Sequence, residues 1–201
     1  MRKPVESSFP LQELIRERWS PLAFSDKRIP AEILGSLFKA ARWAPSSYNE
    51  QPWVFLVATQ DQPHEFQRMA SCLVEANRVW AKRAYCLAIS CAKLDFARNG
   101  KPNRHAYHDV GLATQNLFLQ AQSQGIACHP MAGFDPLAAR ELFQIPASID
   151  PVAAIAIGYQ ADDLSGLDEG LQQRELGARV RKPLTDIVYT GTWGRFAGPF
   201  S

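Results

Sequence analysis

Apolar positions along the chain fall into two patterns, and each predicts a different kind of element. Leu11, Leu14 and Ile15 recur at helical spacing in a segment that ends near RWSP, which predicts a short helix over 11–19. In SDKRIPAEILGSLFKAARWAPSS, Pro30 stands where a first helical turn tolerates it, and Ile33, Leu34, Leu37, Phe38 and Ala41 form one stripe. That helix has to stop before Pro45, because a residue preceding proline is pushed out of the helical region. Further helices are predicted over 64–82, over 105–125 with Gly125 as its C-terminal stop, and over 135–145 with Asp135 as its cap.

Four other runs are continuously apolar. WVFLVAT from Trp53, AYCLAISCA from Ala84, IACHPMAGF from Ile126 and PVAAIAIGYQ from Pro151 are short and apolar enough to read as core strands. KLDFARNGKPNRH, after the second strand, is a polar loop with Gly100 and Pro102 as breakers. Helices and strands without regular alternation, and without GxGxxG or GxxxxGK, favour an α+β fold over a dinucleotide-binding Rossmann unit. From Ala161 the composition turns polar, then basic in RVRKPL, then poor in core-forming residues, so 161–201 is expected to be an arm needing a partner surface. Gly111, Ala113 and Ala121 give the long helix small side chains that favour close approach, for instance by a second copy of itself.

A chain of 201 residues supports one sizeable core and therefore one domain. Its formal net charge of +2 is too small to hold nucleic acid or an anionic membrane, so charge-driven recognition has to be local. No apolar stretch approaches the length of a membrane span, and MRKPVESSFP offers no apolar run for a signal peptide; a cytoplasmic protein is the simplest expectation. Cys72, Cys86, Cys91 and Cys128 form no CxxC pair, and the middle two lie in an apolar run where thiols serve as small hydrophobes. His105, His108 and Asp109 lack a further ligand at matching spacing, which argues against a metal site. Asp109 and Asn116 are expected to hydrogen-bond within the dimer-forming helix instead, and Cys128 to be a buried spectator thiol.

Two stretches could carry chemistry. RERWS and RVRK, at opposite ends of the chain, each place an arginine two residues from another. If they met, their planar donors would clamp a phosphate, with Ser20 adding a neutral hydrogen bond; apart, they are solvated arginines at helix ends. In APSSYNEQPW, short side chains between two prolines could read the amide-like edge of a flat heterocycle, or could merely cap and turn between helix and strand.

RWSPLAF, APSSYNEQPW, the asparagine of EANRVWAKRA, HDVGLATQNLFLQAQSQGI, HPMAGFD and RVRKPL occur in the order and spacing of the nitroreductase family, which the chain resembles over nearly its whole length. The resemblance implies a nitroreductase-like mixed sheet flanked by helices, in an intertwined homodimer whose extended termini clasp the partner. It also implies tightly bound FMN at the subunit interface, and hydride passed from NAD(P)H through flavin N5 to an electron-poor acceptor. By similarity, Arg18, Arg179 and Arg181 correspond to phosphate contacts, with Ser20 nearby and Trp19 contributing backbone. Pro45, Ser46, Ser47 and Asn49 match the segment along the isoalloxazine, and Asn77 matches a residue at the pyrimidine edge. Pro130, Met131, Ala132 and Gly133 match the loop whose backbone amide points at N5, and no side chain is expected to act as a catalytic acid or base. The two arginine clusters are expected to come from paired subunits.

Three positions depart from the family's pattern. Leu22 stands where a third basic residue is usual, so Lys182 is a possible replacement; Ala132 and Trp80 stand where some members carry an acid and a lysine. Two arginine contacts at about 1.5–3 kcal/mol each fall short of the roughly 8 kcal/mol of micromolar affinity, so ring burial has to supply the remainder. The same site could serve enone reduction or dehalogenation, and a flavin-storing protein without turnover is the alternative from another class.

Overall fold

The computed structural model describes residues 3–198. Its centre is a four-stranded antiparallel sheet in the order β1-β2-β4-β3, built from β1 (Trp53–Thr59), β2 (Cys86–Lys93), β3 (Ala127–Met131) and β4 (Ile149–Gly158). These are the four apolar runs. They are continuous rather than alternating because helices cover both faces of the sheet.

Alternate residues serve the two faces. Cys86, Ala88, Ile155 and Ile157 pack with Leu37, Ala41, Ala113, Leu117 and Ala121 of α2 (Ala31–Arg42) and α5 (Ala106–Ser123). Leu87, Ile89, Ala154 and Ala156 pack on the other side with Phe66, Met69, Trp80, Ala139 and Leu171. Those come from α3 (Pro63–Ser71), α4 (Glu75–Ala81), α6 (Pro136–Phe143) and α7 (Glu169–Leu176). The short α1 (Glu13–Glu17) precedes them all and buries no residue. No described helix is long and apolar enough to cross a membrane.

Several expectations change in three dimensions. The helix over 64–82 is two helices, because residues 72–74 pair with 133–135: the Asp135 N–H donates to the Cys72 carbonyl at 2.7 Å, and the Val74 N–H to the Gly133 carbonyl at 3.2 Å. No proline or glycine marks this break, so periodicity could not reveal it. Ala113 and Ala121 are small because they pack within their own subunit, while a side chain added at Gly111 would meet nothing within 4 Å. Asp109 and Asn116 also reach across to other elements: Asp109 Oδ2 accepts from the Ser47 N–H at 3.0 Å while its Oδ1 stays within 3.2 Å of His108 Nδ1 on the same helix, and Asn116 Nδ2 donates to the Ala40 carbonyl at 3.3 Å. The first part of 161–201 packs on its own chain. Leu167, Leu171 and Glu175 are buried in their own chain, and the exposed stretch begins near Gly177, with Val180, Ile187 and Trp193 open to solvent.

Candidate active site

Residues 18–24 run beside the end of β4, where the Ala161 N–H donates to the Ala23 carbonyl and the Ser25 N–H to the Tyr159 carbonyl. That course sets Arg18, Trp19 and Ser20 around a cavity of about 240 Å³, whose lining also includes His129, Arg174, Glu175, Arg179 and Arg181. The two arginine patches therefore converge within one chain, and the expectation that they come from paired subunits is corrected. The reason is α7, which packs on its own subunit and returns the chain past the N-terminal segment.

Like charges crowd this cavity. Burial lowers the Arg18 pKa first, and the nearby Arg179 and Arg181 lower it further. No salt bridge joins Arg18, Arg174, Arg179 or Arg181 to a carboxylate among the described residues. Arg18, Arg179 and Arg181 differ in their engagement. Arg179 staples the N-terminal segment, donating through Nη1 to the Lys3 and Arg16 carbonyls (2.5 and 2.8 Å) and through Nη2 to the Arg18 carbonyl (2.7 Å). Arg18 Nη1 reaches the Ser20 Oγ at 3.3 Å, and among the described residues Arg181 bonds only its neighbour's carbonyl. Arg18, Ser20 and Arg181 thus remain the available donors, and Arg179 positions them.

Sequence reasoning missed Lys3, Arg174 and Glu175, which carry no motif, and left the role of His129, at the start of HPMAGFD, open. Lys3 lines this cavity, and Lys182 lines the larger groove that adjoins it. Leu22 and Trp80 are core residues, 3% and 0% exposed, which explains why neither position is polar here. Glu175 is buried as well, and its Oε2 accepts from the Leu22 N–H at 2.7 Å; burial pushes its pKa up. His129 Nδ1 lies 2.9 Å from the Pro21 carbonyl, which can only accept, so Nδ1 carries the proton. Burial lowers the His129 pKa, and its ring lies tilted at 41° to that of Trp80 with the centres 4.5 Å apart. Cys128 is buried and burial pushes its thiol far up, which makes it an inert neighbour.

A second group forms where the α3–α4 break meets the loop after β3. Asn77 Nδ2 donates to the Gly133 carbonyl at 3.0 Å, and the Phe134 N–H donates to the Ala132 carbonyl at 3.0 Å. Both carbonyls thus accept hydrogen bonds from within the chain. The N–H groups of Ala132 and Gly133 donate to nothing in the chain among the described residues, although backbone N–H groups demand acceptors. Gly133 is required by crowding, since a Cβ there would stand 2.5 Å from Asn77 Nδ2.

The bend from Pro45 to Asn49 lies apart from both groups. It leads into β1, at the opposite edge of the sheet from β3, about 14 Å away at the usual strand spacing. Tyr48, Asn49 and Gln51 all have left-handed backbone (φ 54, 56 and 54), a costly run for residues other than glycine. Ser46 Oγ holds it by accepting from the Gln51 N–H at 3.0 Å, and Asp109 holds Ser47. The structure thus brings Arg18, Trp19, Ser20, Arg179 and Arg181 together, sets Asn77 against Pro130–Gly133, and leaves the serine and asparagine bend elsewhere in the subunit.

A model of the nitroreductase family matches residues 15–159. The chain belongs to the nitroreductase family. Protein DrgA of Synechocystis is 31% identical over 167 residues, spanning 70% of this chain and 79% of its own. A Stenotrophomonas maltophilia protein whose name proposes an NADH dehydrogenase or NAD(P)H nitroreductase is 28% identical, covering 74% of this chain and 84% of its own. Iodotyrosine deiodinase 1 of Sus scrofa is 24% identical over 94% of this chain and 71% of its own. A crystal structure described as an oxidoreductase containing FMN superposes with a TM-score of 0.86 at 33% identity, covering 94% of this chain and 95% of the other. This member of the nitroreductase family is accordingly an oxidoreductase with the family's α+β fold.

Proposed function

We propose that the protein binds FMN and uses it to pass hydride from NAD(P)H to an electron-poor acceptor such as a nitroaromatic or quinone, the two substrates occupying one place in turn. The observation that carries this reading is the cluster of Arg18, Arg179 and Arg181 around one cavity, with no salt bridge to a carboxylate among the described residues, which fits a phosphate's charge. When bound, the flavin supplies the hydride chemistry, and the protein supplies binding, orientation and electrostatics.

On this reading Arg18, Ser20 and Arg181 hold the phosphate, and Arg179 fixes the segment that carries Arg18. The unpaired N–H groups of Ala132 and Gly133 offer donors to a ring nitrogen, and Asn77 keeps the loop in that orientation. No carboxylate pairs with these groups among the described residues, and on this reading no side chain has to move a proton. The Pro45–Asn49 bend serves the ring only from a second subunit, because it lies a sheet's width away in its own. A homodimer with two composite sites follows, clasped by the exposed stretch after Gly177.

A visible absorption spectrum of the purified protein, followed by NADH or NADPH addition without air, tests the proposal. A flavin spectrum bleached by a nicotinamide is expected. A colourless protein that ignores added FMN defeats it, and a yellow one that neither nicotinamide reduces is a flavin-binding protein without turnover. The match to iodotyrosine deiodinase 1 over 94% of the chain favours reductive dehalogenation as the second reading. Turnover on a panel of nitroaromatics, quinones, enones and halogenated phenols separates the two.

A further inference from the structure

The loop from 94 to 105, between β2 and α5, is folded on itself and carries cations that form no salt bridge among the described residues. The Phe96 N–H donates to the Lys101 carbonyl and the Gly100 N–H to the Phe96 carbonyl, both at 2.8 Å, and the Asn103 N–H donates to the Leu94 carbonyl at 2.6 Å. Lys93, at its edge, and Arg98, Lys101 and Arg104 within it are accompanied by a single acid, Asp95. None of these four cations makes a salt bridge among the described residues.

Two contacts hook this loop to the Pro45–Asn49 bend. The Ala97 N–H donates to Glu50 Oε1 at 2.8 Å, and the rings of Tyr48 and Phe96 meet edge to face at 5.9 Å. The Arg98 guanidinium then lies 4.0 Å from the centre of the Tyr48 ring and 5.2 Å from that of Phe96. Tyr48 is 74% exposed, so this aromatic and cationic pair is presented to solvent rather than built into the core. Ring contact limits the conformations of a long side chain, and a guanidinium held this way keeps N–H donors for a planar anion.

We propose that Arg98, carried on the Tyr48 ring, is a specificity-determining residue that selects a second substrate bearing an anionic oxygen group. The inference rests on the flavin reading above, in which the bend borders the ring and its rim borders whatever stacks there. The anion is either a carboxylate on an aromatic acceptor or the extra phosphate that distinguishes NADPH from NADH. Both would meet the same fork of donors.

The test uses the FMN-loaded enzyme and its Arg98→Ala variant. Two selectivity ratios of kcat/KM are measured: 4-nitrobenzoate over nitrobenzene, and NADPH over NADH with nitrobenzene as acceptor. Benzoate is also titrated against the flavin absorbance without turnover. Loss of one charge-assisted contact lowers one of the two ratios roughly ten- to a hundredfold. A fall in the first, with weaker benzoate binding to match, identifies a carboxylated acceptor; a fall in the second identifies the nicotinamide phosphate. Active enzyme whose two ratios are the same in the variant overturns the inference and leaves the flavin reading intact. A protein that binds no FMN overturns both.

Discussion

Replacing Gly133 by alanine tests whether the α3–α4 break exists to bring Asn77 onto the loop after β3. A Cβ at this position would stand 2.5 Å from Asn77 Nδ2 and 2.9 Å from Val74 Cγ2, well inside van der Waals contact. Asn77 has to withdraw, breaking its 3.0 Å bond to the Gly133 carbonyl. Overpacking and the lost hydrogen bond together cost about 2 to 4 kcal/mol. For a chain of this length that lowers the midpoint of thermal unfolding by roughly 5 to 15 °C, measured by circular dichroism. Gly133→Ala with Asn77→Ala removes the nearer obstruction, so the double variant should be less destabilised than the sum of the two single changes. Additive losses, or an unchanged midpoint for Gly133→Ala alone, would refute the packing argument.

Arg18→Ala with Arg181→Ala should weaken FMN binding by roughly ten- to a hundredfold per arginine, read by quenching of flavin fluorescence; full retention of yellow colour through gel filtration would remove the phosphate assignment. Asp109→Ala leaves the Ser47 N–H without its acceptor, at a cost of about 1 to 3 kcal/mol, and hydrogen exchange should show faster labelling across residues 46–51 than elsewhere in the chain. Glu175 has its carboxyl pKa raised by burial, so it favours the folded state in acid and that advantage is lost as pH rises from the ordinary value of 4.5 through the folded value. The stability of the parent relative to Glu175→Gln should therefore fall over that window, and a flat difference would contradict the assignment. Cys86 and Cys91 have thiols pushed up to about 12 and about 11 by burial, and Cys72 and Cys128 are buried too. None of the four should react with a thiol reagent at mildly alkaline pH until the protein unfolds, and rapid labelling of one would show that its burial is misjudged.

All four strands and most helices were legible in the chain, because a strand covered on both faces has to be apolar throughout and a helix on a sheet has to be apolar along one stripe. Trp53–Thr59 coincides with its predicted run, and Asp135 caps its helix by accepting from the Leu137 and Ala138 N–H groups. The break between α3 and α4 was invisible, since pairing with residues 133–135 ends the helix and no local residue does. α7 was also missed: its overall composition is polar, and Leu171 and Glu175 are buried by the rest of the fold rather than marked by a stripe of their own.

By itself the sequence determined the α+β class, the presence of two arginine patches, and the short polar bend between Pro45 and Pro52. Only the tertiary structure decided that the patches meet in one subunit, that Arg179 serves the backbone while Arg18 faces a cavity, and that the bend stands at the far edge of the sheet. The physical reason is range. A pattern of apolar residues reports how one segment is buried, whereas the meeting of residue 18 with 179, and of 77 with 133, depends on where distant segments pack, and no stretch of the chain encodes that alone.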